Sequence, residues 1–508
     1  MKIIPSSQKN RYIARVVIVL AAIALIVWLV SWLSAPSSEI RDWSEIRTWH
    51  DLDAVRDNLA GNYTLMNDLD STTAGYTELA SPTANGGKGW QPIGYYGTCS
   101  SGSDPRVADA KWNGLRGTFD GQGYEIKDLF INCPSNHDLG AYNVGLFGRV
   151  NVGGIVKNVR VSNATVTGKT TVGGLVGFNY GTVSNSYFSG NVTGNERVGG
   201  LVGRNADTVS NSCATGSVNG DSMIGALVGY NERGTVSNSH YNYDEFLING
   251  QSMITIGALF DEDFEEWLAN DKFLDINDRL SQENGYYVVN NVADFKELVA
   301  FGQDNSLKFR LKSDLDLAAE PNLYIPYFAG EFDGNGHKIS NLSFNSGSIC
   351  HIGLFGYIAP DGKVSQVYVE NVKITGARFV GGLAGANRGT VSNSYSTGSV
   401  TGERLVGGLV GDNRGTVSNS YSIGSVTGKR IKDSLVRHSG KNQHGGPISN
   451  SYSSGSVTGY EYVGSLVGSN DGGTVTNSFW DTETSGKATS AGGTGKTTAE
   501  MQDIATFS

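Results

Sequence analysis

Proline is scarce in this chain, at ten in 508 residues, while glycine reaches 69. So much glycine with no G-x-y period excludes a collagen helix. Charge is sparse too: Asp, Glu, Lys and Arg make up 17% of the chain and leave a net charge of −10. No Lys/Arg-rich run is interleaved with aromatics, so nucleic acid is not an expected partner. The four cysteines, Cys99, Cys133, Cys213 and Cys350, follow no metal-ligand spacing. A Cys99–Cys133 disulfide would suit an extracellular chain; isolated buried thiols are the plainer reading. None of the histidines (His50, His137, His240, His337, His351, His438, His444) is followed by Glu. The H-E-x-x-H zinc-peptidase element is therefore missing.

Only one long hydrophobic run exists, VVIVLAAIALIVWLVSWL at residues 16–33, preceded by Lys2, Lys9, Arg11 and Arg15. Eighteen helical residues at about 1.5 Å each cover roughly 27 Å, close to a bilayer's hydrocarbon core. The basic flank favours the cytoplasmic side, which sends residues 36–508 across the membrane. The rival reading is a secretory signal cleaved after Leu33-Ser34-Ala35, although Pro36 follows that site.

Beyond this run the chain states one plan twice. WHDLDAVRDNLAGNYTLMNDLD, from Trp49, is answered by NVADFKELVAFGQDNSLKFRLKSDLDL, from Asn291. Each reads as a short helix followed by a strand ending in Asp-Leu-Asp. GTFDGQGYEIKDLFIN (117–132) then pairs with GEFDGNGHKISNLSFN (330–345), and VGLFG at 144 with IGLFG at 352. Between the copies lies an acidic stretch, 257–280, with Phe264, Trp267 and Leu268 at helical spacing.

Each copy ends in glycine-rich repeats. VGGLVGFNYGTVSNSYFSGNVTG (172–194) returns 26 residues later from 198, and its relatives occupy 380–402 and 406–428. A period of this length without helical faces implies coils of two or three short strands stacked into a solenoid about 4.8 Å per rung. Glycines such as Gly173, Gly174, Gly177, Gly190 and Gly194 are expected to supply left-handed bends. Strict alternation along Thr182-Val183-Ser184-Asn185-Ser186-Tyr187 puts Val183, Asn185 and Tyr187 on one face. The expected interior then holds a Tyr187 column (with Cys213, His240, Tyr395, Tyr421, Tyr452 and Phe479). It also holds an amide ladder of Asn185, Asn211, Asn238, Asn393, Asn419, Asn450 and Asn477. The Ser184/Ser186, Ser392/Ser394 and Ser418/Ser420 pairs are expected to face outward, where regular hydroxyls either meet a repetitive ligand such as glycan, cell-wall polymer or ice or, more commonly, simply keep a long sheet solvated. The segment 434–452 carries five extra residues, and such insertions map to loops.

The V-G-G-L-V-G-x-N-x-G-T-V-S-N-S pattern resembles the GLUG motif, a repeat of microbial surface proteins. It also occurs in the non-catalytic part of bacterial IgA-cleaving metallopeptidases. Matching repeats stand near residues 172, 198, 224, 380, 406 and 463, with a degenerate one near 432. The resemblance implies a scaffolding or adhesive region and brings no catalytic residues with it.

A search for chemistry returns weak candidates. A glycosidase needs two carboxylates about 5 to 9.5 Å apart, for which Asp68/Asp70, Asp314/Asp316, Asp120 and Asp333 are available. Each stands at a strand end beside turn residues, where Asp caps the backbone. Arg430-Ile431-Lys432 is similar to the R-I-K element of polygalacturonases, but its companion elements are missing. Ser490-Ala-Gly-Gly-Thr-Gly-Lys496-Thr497 imitates a phosphate loop with Ser490 in place of the first glycine. Asn62, Asn163, Asn191 and Asn341 open glycosylation sequons. No catalytic, cofactor or metal residue is assigned, and no nucleotide is expected.

The expected fold is all-β: two tandem right-handed parallel β-helix modules with short helical caps, behind a transmembrane helix. The chain divides into a basic cytoplasmic tail (1–15), an anchor (16–35), a first module (36–256), an acidic helical cap and linker (257–285), a second module (286–485) and a tail (486–508) that reads as a shortened cap. The expected role is a membrane-anchored, non-enzymatic surface adhesin or scaffold contacting glycan or another cell surface. The alternative is an extracytoplasmic polysaccharide lyase or hydrolase.

Overall fold

A computed structural model describes residues 43–94, 114–133, 142–260, 275–346, 349–428, 445–459, 463–464, 467–470, 472–487, 490 and 492–507. The hydrophobic run at 16–33, the helical spacing at 264–268 and the Arg430-Ile431-Lys432 element lie outside them. Among the described residues no helix is long and apolar enough to cross a membrane.

The chain is an all-β solenoid of about 11 turns with few helices. One 26-residue turn contains four strands rather than two or three: Thr170–Gly173, Val176–Asn179, Thr182–Ser184 and Tyr187–Thr193. Each pairs in parallel with its counterpart one repeat away: Val172 with Val198, Phe178 with Arg204, Val183 with Val209 and Tyr187 with Cys213. The repeats near 406 and 432 stay in register across the five-residue insertion, since Tyr421 pairs with Tyr452. Identical rungs bury identical residues. Val183, Val209 and Val236 are wholly inaccessible, and a fully buried valine contributes roughly 1.5 to 3 kcal/mol.

Glycine serves close approach more than left-handed bends. A Cβ on Gly177 would lie 2.6 Å from the Asn143 carbonyl carbon and 2.6 Å from the Gly148 oxygen. On Gly173 it would lie 2.1 Å from the Val176 oxygen. The first two strands of a turn thus pack backbone on backbone, which any side chain would block. The left-handed positions belong largely to other residues: Asn185 has φ 48° and Asn419 φ 48°.

That left-handed asparagine corrects the expected faces. Strict alternation breaks at residue 185, so Asn185 stands exposed at a corner while Ser186 turns inward at 2% exposure. Ser186 Oγ donates to Ser184 O (2.8 Å) and accepts from Val159 N (3.3 Å). Ser212, Ser394, Ser420 and Ser451 repeat that burial. The tyrosine column is half-buried on the outside: Tyr368, Tyr395, Tyr421 and Tyr452 stack at 4.7, 4.7 and 4.8 Å, the rung spacing. The exposed asparagines do form a ladder, as in Asn419 Nδ2 to Asn393 Oδ1 at 3.1 Å. The buried amide ladder is a different set, the last residue of V-G-x-N. Asn179 donates to Asn205 Oδ1 (2.8 Å), Asn205 to Asn231 (3.0 Å), Asn387 to Asn413 (2.8 Å) and Asn413 to Asn470 (3.1 Å).

Short helices sit where the sequence places them, at Trp49–Ala54 and Val292–Phe301, N-capped by Thr48 and Asn291. No sheet of the described residues runs from one copy into the other, yet a single hydrophobic core extends from Ile46 to Val467, and residues 45–508 form one compact unit. At the junction Phe301 meets His240 edge-on at 5.1 Å, and the Tyr324 hydroxyl donates to Ile254 O at 3.3 Å. Cys133 is disulfide-bonded, its partner lying outside the described residues, so the isolated-thiol reading fails there; Cys213 and Cys350 are not in disulfides.

Candidate functional site

The six candidate carboxylates are spent on the backbone and its neighbours. Asp68 accepts from Glu125 N (2.9 Å) and lies 3.6 Å from Lys127 Nζ. Asp70 closes a turn by accepting from the Thr72 hydroxyl and amide, which hold its carboxyl below the usual range. Burial pushes Asp120 upward, but bonds from Asn158 and Gln122 and the Lys157 ammonium at 3.0 Å outweigh it and leave it lowered. Asp314 is held low by the Lys338 amide and by His337, and Asp316 by Asn341 and the Ala318 amide. Asp333 pairs with Arg310 Nε at 2.9 Å. A general acid needs a raised pKa, and the four shifted groups move the other way. The phosphate-loop mimic is also spoken for: Thr497 and Glu500 form a capping box on a five-residue helix, and Lys496 lies 3.3 Å from Glu500.

The distinctive surface is one that strict repetition hides. In V-G-x-N the valine and asparagine face the core and x the opposite side of the second strand, where Arg149, Arg204, Tyr230 and Tyr357 are partly exposed and Phe178, Tyr327, Ala386 and Asp412 are covered. Here the repeat stops repeating. Successive occupants are Arg149, Phe178, Arg204 and Tyr230 in the first copy. In the second they are Tyr327, Tyr357, Ala386 and Asp412. Arg204 lies 4.3 Å over the Phe178 ring, and Arg149 lies 5.3 Å from it and 4.5 Å from Tyr180. Tyr327 and Tyr357 stack at 5.3 Å, and Tyr230 is near enough to raise the pKa of both. Burial is the larger cause of the rise for each. Desolvation correspondingly lowers Arg149.

A second variable position lines the same face. Thr171, Arg197, His351, Phe379 and Leu405 all adopt φ between 57° and 62°. Non-glycine residues held there cost on the order of 1–3 kcal/mol each and persist where the surroundings over-determine them. Arg197 lies 5.9 Å from the Tyr230 ring, His351 stacks on Phe379 at 4.4 Å, and Arg388 lies 5.6 Å from Tyr357. Sequence reasoning missed these residues by attending to what recurs. The available signal was the divergence of x inside an otherwise constant string.

Residues 168–193 and 194–219 match the GLUG motif. These two turns are GLUG motifs. The GLUG-like turns at 380–402 and 406–428 repeat this strand register. A 130-residue stretch, 22% of the chain, is 30% identical to halomucin of Haloquadratum walsbyi and covers 1% of that protein. A 145-residue stretch, 28% of the chain, is 32% identical to a Gly-rich membrane protein of Evansella cellulosilytica and covers 14% of it. The chain thus spans a small part of both relatives. A crystal structure named for an immunoglobulin A1 protease of Bacteroides ovatus aligns over 90% of this chain and 85% of that one, with 14% identity and a TM-score of 0.20.

Proposed function

We propose that the chain is a membrane-anchored cell-surface solenoid that acts as a non-enzymatic adhesin or scaffold. Its right-handed GLUG modules would stand outside the membrane, behind an anchor at residues 16–33. The observation that carries this reading is the division of labour within each turn. Inward positions repeat and hold the fold, whereas x positions diverge, and those that are partly exposed are Arg149, Arg204, Tyr230 and Tyr357, residue types that anchor protein contacts. The Gly-rich membrane protein among the relatives favours a membrane-associated setting. The six tied-down carboxylates favour binding over hydrolysis.

Protease shaving of intact cells producing the full chain tests the reading. Release of fragments from residues beyond 36, with 1–15 protected, is expected. Fragments that appear only after lysis would overturn it.

A further inference from the structure

The sheet formed by the last strand of each turn in the second copy has an uncharged outer face. Its central strands are Tyr395–Gly402, Tyr421–Gly428, and Tyr452–Ser454 with Val457–Thr458. Ser396, Ser422 and Ser453 and Val400, Val426 and Val457 are buried against the core. Alternation sets the residues between them outward. They form rows across the rungs: the tyrosines, then Thr397, Ile423 and Ser454, then Ser399 and Ser425, then Thr401, Thr427 and Thr458. No Asp, Glu, Lys, Arg or His occurs in these strands. Charge returns around them, at Glu370 and Lys373 on the rung before and at Asp481 and Lys487 on the turn after. Glu403, Lys429 and Glu461 follow the strands in sequence. Ile423 is 43% exposed. The tyrosines beside it stack on one another, so they show edges and hydroxyls rather than open ring faces. Tyr395 donates to Glu370 at 2.5 Å, whereas the Tyr421 hydroxyl has no hydrogen-bond partner among the described residues. The first copy's equivalent column is mixed, running Arg160, Tyr187, Cys213, His240.

We propose that this face binds an uncharged linear polysaccharide lying along the solenoid axis. The inference rests on the surface reading above and names a ligand class for it. A pyranose carries equatorial hydroxyls around an apolar C–H face. Rows of hydroxyls that both donate and accept, set about an exposed isoleucine, match the two kinds of group. The tyrosine row recurs at 4.7 to 4.8 Å, near the length of one extended sugar residue, so successive sugars meet equivalent side chains. Anionic polymers are disfavoured, because the strands hold no cation and the chain's net charge is −10. Bases are disfavoured because single-strand readers stack them on open rings. A second copy is disfavoured by area. Three rungs by eight residues give a footprint of about 370 Å², less than half the roughly 800 Å² that each partner buries in a stable complex. A cross-strand ladder that only stabilised the sheet would account for the tyrosines but gives no part to Ile423.

The test is retention of the full chain on cellulose, chitin, polygalacturonate and single-stranded DNA, at about 0.05 M and about 0.5 M salt. Retention on at least one neutral polymer at both salt concentrations, and on neither anionic one, is expected. Ile423→Lys with Ser425→Lys, both at exposed positions, should weaken it at least about tenfold, because two ammoniums would have to be desolvated against an uncharged ligand. Tyr421→Phe keeps the stack and should weaken it about fivefold, the loss of one neutral hydrogen bond. Asn191→Lys with Thr193→Lys, exposed on the first copy's equivalent strand, should leave binding unchanged. Full binding by the Ile423/Ser425 variant, retention that salt abolishes, or a dimer in sedimentation that this variant dissociates would overturn the proposal. If no neutral polymer is retained while shaving still finds the chain outside the cell, this inference falls and the surface reading stands.

Discussion

Asn413→Ala is the substitution that most sharply probes how the turns are held together. Asn413 is wholly buried. Its Oδ1 accepts from Asn387 at 2.8 Å, and its Nδ2 donates to Asn470 Oδ1 at 3.1 Å and to Gly446 O at 3.4 Å. Asn387 keeps a bond to Thr416 O at 3.1 Å, whereas Asn470 Oδ1 loses this donor. Leaving buried polar atoms short of partners costs about 1–3 kcal/mol each, so about 2–5 kcal/mol is expected. Asn419 makes ladder bonds of similar length, 3.1 and 3.2 Å, but in the open. Water replaces those, and the cost to alanine is chiefly its left-handed backbone, about 1–2 kcal/mol. Asn419→Gly avoids that cost and should be close to neutral. Long repeat arrays lose all-or-none unfolding, so the assay is amide exchange in the 404–428 turn rather than one melting temperature. If Asn419→Gly opens that turn as much as Asn413→Ala does, the assignment of buried and exposed ladders is wrong.

Other outcomes follow from the same geometry. Ser420→Ala should cost about 1–2 kcal/mol, because its buried Oγ donates to Ser418 O at 2.7 Å and accepts from Ser394 N at 3.2 Å; amide exchange in the same turn of the two proteins measures it. Gly177→Ala should unfold its turn or leave the protein insoluble, because the contacts at 2.6 Å are with backbone that cannot step aside; limited proteolysis around 142–205 would reveal it. His240 is buried at the junction with both ring nitrogens unpartnered, and burial, then the Arg279 charge, pushes its pKa from 6.5 down to about 3. The folded state therefore binds this proton less readily than the unfolded chain does. Stability should be full above pH 6.5 and fall as pH drops toward 3, by about 1.4 kcal/mol per unit at most. His240→Phe should flatten that slope when amide exchange around residues 236–242 is followed across the range.

Repetition made much of the architecture legible. The 26-residue period gave the rung, the doubled plan gave both cap helices, and the recurring valines gave the core. The faces were misassigned because period-two reasoning assumes an unbroken strand, and Asn185 breaks it with a left-handed backbone. Asparagine's enrichment in that conformation is a signal that Thr-Val-Ser-Asn-Ser carried all along. The glycines were misjudged for a related reason. Composition says glycine is permitted to bend, but only the neighbour 2.6 Å away shows that it is there to leave room. The arginine and aromatic column escaped notice because it occupies the single letter of V-G-x-N that varies.

The central claim is that the outer face binds and does not cleave. Incubation of the full chain with acidic and neutral polysaccharides, following both retention and new reducing ends or unsaturated products, tests it directly. The account predicts retention with no new ends. Cleavage would contradict it, and Asp68, Asp70, Asp120, Asp314, Asp316 and Asp333 would then be the first residues to replace.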